Sequence, residues 1–465
     1  MAQALYSDLR DKCILVAGAG VTGVACAHAL TRKGALVTIA DESVIELRGF
    51  DVVAPVNVTI NNFDILLVSP GWRNDHPLIT RAREAGLSLI NEIDLAWSLK
   101  DPSQKWIALT GTNGKTSTVE LTAQMLRNGG LSSIACGNVG TTVIESVESS
   151  EKYDYLVLEL SSFQLHWMED PSFVAVAILN IAEDHVDWHG TFDAYAKDKV
   201  SILDKSSTAI LNGDDGEIVS RTSPWQGRKV FFSLNTPAPG QIGVVEELLI
   251  DRAFVADPQE AAMISELNEV KPTVPHNVSN ALAAAGLARA VGVAHEAIRH
   301  AITAFTPGKH RIEKILEKDG ITWVNDSKAT NPHAASASIM SALSVVWVAG
   351  GLAKGATMGE LIERVKGRVK VAVLIGTDQE SIAREIRERA PHIEIVSIQT
   401  PADYIKGAAN NSLMEEVVRA AHARATSGDT VLLAPACASM DQFISYSDRG
   451  DRFLAAVEKV VRDGN

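Results

Sequence analysis

The sequence predicts an α/β protein built on mostly parallel sheets. Short apolar runs of strand length end in glycine-rich turns at three places: Cys13-Ile-Leu-Val-Ala-Gly-Ala-Gly20, Trp106-Ile-Ala-Leu-Thr-Gly-Thr112 and Val345-Val-Trp-Val-Ala-Gly-Gly351. Their β-branched enrichment, without polar alternation, is the pattern of strands buried on both faces. Helical patterns follow, as from Lys115 to Asn128, where Gly129-Gly130 is a stop signal. Strand, glycine turn and helix in that order make the βαβ unit of a parallel sheet.

The length of 465 residues allows two to four domains. Polar Asp101-Pro102-Ser103-Gln104 and the break at Thr306-Pro307-Gly308 divide the chain into 1–101, 102–306 and 307–465. The stretch from about 213 to 275, rich in Pro, Gly and acids, has no role assigned by the sequence. The 43 basic and 57 acidic residues give a net charge of −14, which disfavours loose binding to nucleic acid or anionic membranes. No apolar stretch approaches the roughly 20 residues of a membrane helix. The most apolar helical segment, Ala281 to His295, is interrupted by Arg289. The opening MAQALYSDLRDK has no basic segment followed by an apolar run, so no signal peptide is expected. Four cysteines, at 13, 26, 136 and 437, show no CxxC spacing. That argues against a disulfide framework or thiolate zinc site and for a reducing cytoplasm.

In the first segment, Gly18-Ala-Gly20-Val21-Thr22-Gly23 fits GxGxxG after a strand, and Asp41 closes the next strand, Ala35 to Ala40. The pattern fits a dinucleotide loop with Asp41 on a ribose, or a tight β–α packing turn with no ligand. Ser69-Pro70-Gly71 follows the strand Ile65 to Val68 and is placed to close over the same ligand.

In the second segment, Thr110-Gly111-Thr112-Asn113-Gly114-Lys115-Thr116 lies between strand and helix. Converging backbone N–H groups and the helix dipole suit an anion. Lys115 is placed for the outer phosphates and the Thr116 hydroxyl for magnesium. Leu109 stands where the usual phosphate loop has its first glycine, so this loop is a variant. Glu159-Leu-Ser-Ser-Phe-Gln164 follows the strand Tyr155 to Leu158. Asn180-Ile-Ala-Glu-Asp-His185-Val-Asp187 follows Ala175 to Leu179, and a helix is expected to begin at Tyr195-Ala-Lys-Asp-Lys199. Ligands in open α/β sheets sit at the carboxyl ends of strands, so Glu159 and His185 are candidates to share a cleft with Lys115 and Thr116. Magnesium near nucleotide phosphates is one use of these groups. A zinc cluster of His185, Asp187 and His189 is the rival, weakened by the absence of HExxH and by a loop-like Trp188-His189-Gly190.

In the third segment, Asn325-Asp326-Ser327-Lys328-Ala329-Thr330-Asn331-Pro332 follows the strand Ile321 to Asp326. Asn331 and Pro332 are cap and first residue of the next helix, Ala334 to Leu343. Lys354 follows the strand at 345–350, and Ser439 and Gln442 fit a capping box after the strand Thr430 to Leu433. Two lysines and a helix N-terminus at neighbouring strand ends describe a pocket for a small acid. Cys437 reads as a packed residue, not a nucleophile.

Together these segments resemble the Mur ligase family of cytoplasmic peptidoglycan enzymes. The resemblance rests on TGTNGKT at 110–116, GNVG at 137–140, ELSSFQL at 159–165, LNIAEDHVDWHG at 179–190, HN at 276–277, KHR at 309–311, NDSKATN at 325–331 and PACASMDQF at 435–443. It runs through the whole chain in the family's order and is greatest to the members that add D-glutamate. It implies three domains: a Rossmann-like N-terminal one for a UDP substrate, a central P-loop NTPase-like parallel sheet for ATP, and a Rossmann-like C-terminal one for the incoming amino acid. The substrates implied are UDP-N-acetylmuramoyl-L-alanine, D-glutamate and ATP, taken by a monomer without nucleic acid or membrane insertion.

The resemblance implies that Val21, Thr22, Asp41 and Gly71 approach the uridine diphosphate, with Asn138 and His185 further along that substrate. ATP is assigned Gly111, Thr112, Asn113, Gly114, Lys115, Thr116, Asn280, Arg311 and Asp326. Two magnesium ions are implied, one on Thr116 and Glu159, the other on His185 and Lys199 if that lysine is carbamylated. D-glutamate is assigned Lys328, Thr330, Lys354, Ser439, Met440 and Tyr446. Lys115, His185 and Lys199 are the catalytic candidates. Three positions depart from the family's habit: Leu352 stands for an acidic residue, Met440 for Leu and Tyr446 for Phe. The chemistry implied is amide formation through an acyl phosphate, which needs positioning and charge neutralisation rather than a protein nucleophile. A sister ligase adding another amino acid is the alternative. A nicotinamide oxidoreductase would explain only residues 18 to 41, and a nucleotide-binding regulator would leave Glu159, His185 and Lys199 idle.

Overall fold

The computed structural model describes residues 9 to 464 except 258 and 403. The first eight residues, on which the expectation of no signal peptide partly rests, lie outside the described residues. The chain forms two compact units. One holds the chain up to Ile181 with Phe192–Thr273 and Asn277–Phe305. The other holds Ala182–Thr191, Val274–His276 and the chain from Thr306.

The first unit contains two sheets. The smaller orders its five strands Asp51–Val53, Leu36–Ala40, Cys13–Ala17, Ile65–Val68 and Ser88–Ile90, all parallel. Ile14 to Ala17 are completely buried, as their unbroken apolar run requires of a strand covered on both faces. Strand order reverses between Cys13–Ala17 and Ile65–Val68, which opens a crevice at their carboxyl ends.

The larger sheet has nine strands, ordered Ala262–Glu266, Leu248–Asp251, Ile242–Val245, Arg228–Phe232, Thr208–Asn212, Ala175–Ile178, Lys105–Thr110, Tyr155–Glu159 and Ser133–Gly137. Ile242–Val245, Leu248–Asp251 and Ala262–Glu266 pair antiparallel, and the other pairs are parallel. The stretch from 213 to 275 supplies the helix Gly216–Thr222 and four short strands, 228–232, 242–245, 248–251 and 262–266, and its turn-rich composition is that of the connections between them. The central strand Lys105–Thr110 lies between Tyr155–Glu159 and Ala175–Ile178, so the phosphate loop emerges between the Glu159 and Asn180 loops.

A continuous apolar core runs from the first sheet, through Ile14 and Val16, into the second, through Trp106, Leu156 and Val176. Two carboxylates help seal it. Glu92 accepts from the N–H groups of Val143 (2.7 Å) and Ile144 (3.2 Å), at the start of the helix Val143–Glu148. Asp94 accepts from the N–H groups of Glu169 and Asp170. Burial pushes Glu92 up to about 7 and Asp94 up to about 6.

The second unit has a six-stranded sheet ordered Glu313–Lys318, Ile321–Asn325, Thr430–Leu433, Val345–Gly350, Val369–Ile375 and Glu394–Ser397. The first two pair antiparallel and the others parallel. Asn331 caps the helix Pro332–Met340 by accepting from the Ala334 N–H at 2.9 Å, as its sequence predicts.

Three local expectations change. The helix expected from Tyr195 begins a turn earlier and spans Phe192–Val200. Val186–His189 is a short helix rather than a loop, ended by Gly190 at a φ of 82°. Ser439 and Gln442 do not start a helix: the Gln442 amide donates to Thr400 Oγ1 (2.6 Å), and Ser445 caps the helix Tyr446–Val457. The box pattern loses there because the true cap, six residues on, can accept from Asp448 N.

Candidate active site

The phosphate loop is held from four sides. Lys115 Nζ folds back to the carbonyls of Gly111 (2.8 Å) and Thr112 (2.9 Å). Asn180 clamps the loop's far side: its carbonyl accepts from Thr112 N, its side-chain oxygen accepts from Asn113 N (2.7 Å), and its amide donates to Asn113 O (3.1 Å). Gly114 has a φ of 83°, and a Cβ there would lie 2.4 Å from Asn280 Oδ1. Only glycine satisfies both conditions, and the contact places Asn280, on the helix Pro275–Ala290, against the loop.

Tyr195 and Lys199 are four residues apart on the helix Phe192–Val200 and so share a face. Tyr195 Oη bonds Thr112 Oγ1 at 2.9 Å. Lys199, only 2 % exposed, donates to Gly111 O at 2.8 Å and lies 4.8 Å from the Tyr195 ring centroid. The buried ammonium thus points at the backbone of the phosphate loop.

Glu159, 1 % exposed, ends its strand beside that loop. Its Oε1 accepts from Asn138 Nδ2 at 2.9 Å, and its backbone carbonyl accepts from Asn138 N. Its Oε2 is buried with no hydrogen-bond partner among the described residues. A buried carboxylate oxygen left unsatisfied is costly without a cation, so the donor set fits a divalent ion. Thr116, also buried, is the adjacent hydroxyl ligand on the sequence reading.

A cleft of about 780 Å³ opens at the switch point of the first sheet. Val21, Thr22, Asp41, Gly71 and Asn138 all line it, so five of the six positions expected on the UDP substrate meet in one place. Asp41 spends its carboxylate on the loop itself, accepting from Ala19 N (2.7 Å) and Ser43 N (2.8 Å). A Cβ on Gly23 would lie 1.9 Å from Gly18 O, so that glycine is also required for packing. The packing reading is therefore met in this loop, which also lines the cleft. Trp72, Ser161, Phe163 and Gln164 also line the cleft. Sequence reasoning missed them, although 161–164 follow Glu159 at the same strand end.

His185, the sixth position, belongs to the second unit. It lines a cavity of about 270 Å³ with Asp184, Thr330, Asn331 and Lys354. His185 has a φ of 52°, and its N–H donates to Asp184 Oδ1 at 2.9 Å. Among the described residues no three His, Cys, Asp or Glu side chains come together as a metal cluster. Asp187 lines the same cavity, but His189 does not, and nothing in the structure favours the zinc reading.

Of the remaining acceptor positions, Lys328 stacks over the Tyr446 ring at 4.0 Å from its centroid. Ser439 is buried and Met440 is 60 % exposed in the turn that replaces the expected helix. The lysine-bearing strands Ile321–Asn325 and Val345–Gly350 are not neighbours: Thr430–Leu433 lies between them. Leu352 pairs through its backbone with Ala438, two hydrogen bonds of 2.9 Å, and the Ala353 N–H donates to Asp378 at 2.8 Å. The run into Lys354 is therefore set by main-chain contacts that do not depend on the side chain at 352.

The expected ATP set is divided between the units. Asn280 and the loop residues lie in the first, Arg311 and Asp326 in the second. Asp326 accepts from the Ser338 hydroxyl and from Ile312 N, and burial pushes it up to about 6.

Comparison with known proteins agrees with this architecture. Residues 109–288 match the Mur ligase middle domain, and residues 310–437 match the Mur ligase, glutamate ligase domain. The UDP-N-acetylmuramoylalanine--D-glutamate ligase of Streptomyces coelicolor is 42 % identical over 98 % of this chain and 99 % of its own. The protein of the same name from Thermobifida fusca is 42 % identical over 98 % of this chain and all of its own. Among solved structures, the pseudomurein peptide ligase type C of Methanothermus fervidus superposes with a TM-score of 0.58 at 18 % identity, covering 97 % of this chain and 100 % of its own. The UDP-N-acetylmuramate-alanine ligase of Thermotoga maritima gives 0.58 at 18 % identity, covering 96 % and 99 %. By sequence over almost its full length, and by fold, this chain belongs to the Mur ligase family.

Proposed function

We propose that this chain joins D-glutamate to UDP-N-acetylmuramoyl-L-alanine at the expense of ATP, as a cytoplasmic monomer making a peptidoglycan precursor. The observation that carries the reading is the clustering of Lys115, Lys199 and the half-satisfied Glu159 around one phosphate loop, in a chain whose curated relatives bear that name. In this reading residues 1–101 hold the UDP group, 102–306 hold ATP, and 307–465 bring the amino acid. The described residues contain no helix long and apolar enough to cross a membrane.

The L-alanine carboxylate attacks the γ-phosphorus of ATP, giving an acyl phosphate and ADP. The D-glutamate amine then attacks the acyl carbon, loses its proton and displaces phosphate. Lys115 leaves the Gly111 and Thr112 carbonyls to meet the outer phosphates. The backbone N–H groups of residues 114–116, at the start of the helix Lys115–Asn128, suit the remaining charge, while those of Thr112 and Asn113 are held by Asn180. Asn180 holds the loop's backbone, and Tyr195 its Thr112 hydroxyl, in place before ATP arrives. Thr116 and Glu159 would hold one magnesium ion, with His185 and a carbamylated Lys199 for a second. Magnesium supplies neutralisation of phosphate charge in the transition state. Carbamylation of Lys199 requires its neutral amine, against an ordinary lysine pKa near ~10.4.

The test is phosphate release from ATP with UDP-N-acetylmuramoyl-L-alanine and magnesium, with each amino acid added in turn. Release that requires D-glutamate, and fails with L-glutamate, L-lysine or diaminopimelate, is expected. Release with a different acceptor would move the chain to a sister activity. No release with any acceptor would remove the ligase reading.

A further inference from the structure

Arg449 lies in the first turn of the helix Tyr446–Val457 and is completely buried. Among the described residues no carboxylate accepts a hydrogen bond from it. Its guanidinium donates to Ser327 Oγ (3.0 Å), Ser327 O (3.0 Å), Cys437 O (3.2 Å) and Gly350 O (3.4 Å). Ser327 Oγ in turn donates to Tyr446 O at 2.7 Å. These acceptors stand just past, or at the end of, three consecutive strands of the six-stranded sheet: Ile321–Asn325, Thr430–Leu433 and Val345–Gly350. One side chain therefore ties together three strand ends.

Those strand ends lead to the residues read above as amino-acid contacts. Lys328 and Thr330 follow Ser327, Lys354 follows Gly350, and Ser439 and Met440 follow Cys437. Tyr446 heads the helix that carries Arg449. A planar guanidinium can reach several carbonyls in fixed directions, which a lysine cannot. A buried cation held only by neutral acceptors is an expensive tie if loop stability were its sole purpose. Burial lowers Arg449 to about 10, so it stays charged at neutral pH. Asp441, the nearby acid, attracts Arg449 without a hydrogen bond to it: one carboxylate oxygen accepts from Thr377 N at 2.8 Å, and the other is buried without a hydrogen-bond partner among the described residues.

We infer that Arg449 is a positioning residue for the acceptor amino acid: it sets the three loops in register and keeps a positive charge beneath a site meant for carboxylates. The inference rests on the reading of these loops as the amino-acid site. It does not place Arg449 in contact with substrate.

The test is steady-state kinetics on the full chain for Arg449→Lys, Arg449→Met and Ser327→Ala, with Lys328→Ala alongside. Arg449→Lys keeps charge and loses the fork. It is expected to raise KM for D-glutamate tenfold or more, with KM for ATP and for the UDP substrate within twofold and Tm little changed. Arg449→Met should raise it further. Ser327→Ala removes the hydroxyl's bonds with Arg449 and with Tyr446 O and should raise it about threefold. A D-glutamate KM within twofold of the parent for Arg449→Lys, or an equal rise in all three KM values, overturns the inference. If Arg449→Met does not fold, Arg449→Lys and Ser327→Ala decide the matter. An unchanged D-glutamate KM in Lys328→Ala would overturn the underlying site reading. A raised KM in Lys328→Ala with an unchanged one in Arg449→Lys would overturn this inference alone.

Discussion

Lys115 and Lys199 both touch the Gly111 carbonyl, yet their expected roles differ. Lys115 would exchange the Gly111 and Thr112 carbonyls for phosphate oxygens, and its loss should cost roughly 3 kcal/mol or more of transition-state stabilisation. Lys115→Ala turnover equal to the parent's would remove the phosphate-loop assignment. Lys199 is held in a buried position over Tyr195. Lys199→Ala is expected to lose most activity and to recover part of it when short carboxylic acids are added, since these can stand in for a carbamate. Lack of rescue would leave Lys199 as a loop support only. Glu159→Gln keeps the shape and the bond from Asn138 but removes the charge beside the orphan oxygen. It should raise the magnesium concentration needed for half-maximal activity at least tenfold; an unchanged magnesium dependence would exclude Glu159 as a ligand.

At the level of the element, the helix Glu92–Leu99 sends two carboxylates into buried polar contacts. The Glu92 carboxyl is about 7 in the fold against an ordinary 4.5, and Asp94 about 6 against 3.8, both raised by burial. A raised carboxyl means that the folded state holds a proton the unfolded state has lost. Stability should therefore fall as pH climbs from about 4.5 to 7 and level off above that, with Glu92 contributing up to about 3 kcal/mol of the fall. Glu92→Gln retains an acceptor for Val143 and Ile144 and should flatten that slope in denaturant unfolding. An unchanged slope would mean that Glu92 ionises inside the fold at little cost. The same logic of element against neighbour governs Gly114: Gly114→Ala must disturb either the left-handed turn or Asn280, so ATP affinity should fall before global stability does.

For the whole molecule, the division into two compact units makes a calorimetric prediction. The cleft read as the UDP site is lined entirely by the first unit. UDP-N-acetylmuramoyl-L-alanine at a hundred times its Kd should stabilise that unit by about 2.7 kcal/mol. D-glutamate alone should leave the first unit's unfolding transition where it was. A shift of that transition by D-glutamate would overturn the assignment of the acceptor to the C-terminal loops.

The sequence by itself determined the architecture and the chemistry-bearing loops. Short apolar runs such as 13–17, 105–110 and 345–350, rich in β-branched residues and followed by glycine turns, read as buried strands of a βαβ sheet. Gly-Lys-Thr at such a junction is the sequence signal on which the proposed anion site rests, because a helix N-terminus supplies backbone donors. Local chemistry also identified Asn331 as a cap. It misled at Ser439 and Gln442, where a long-range bond to Thr400 competes with the local box. Only the tertiary structure decided what lies far apart in the chain: Asn180 and Tyr195 on the phosphate loop, residues 161–164 in the cleft with Thr22, and His185 with Thr330 and Lys354. It alone revealed that Arg449 is buried, since an arginine in a polar first turn has no sequence mark of burial. The physical reason is range. Periodicity, capping and turn conformation act over a few residues and can be read along the chain. Burial and the pairing of polar groups depend on which strands become neighbours.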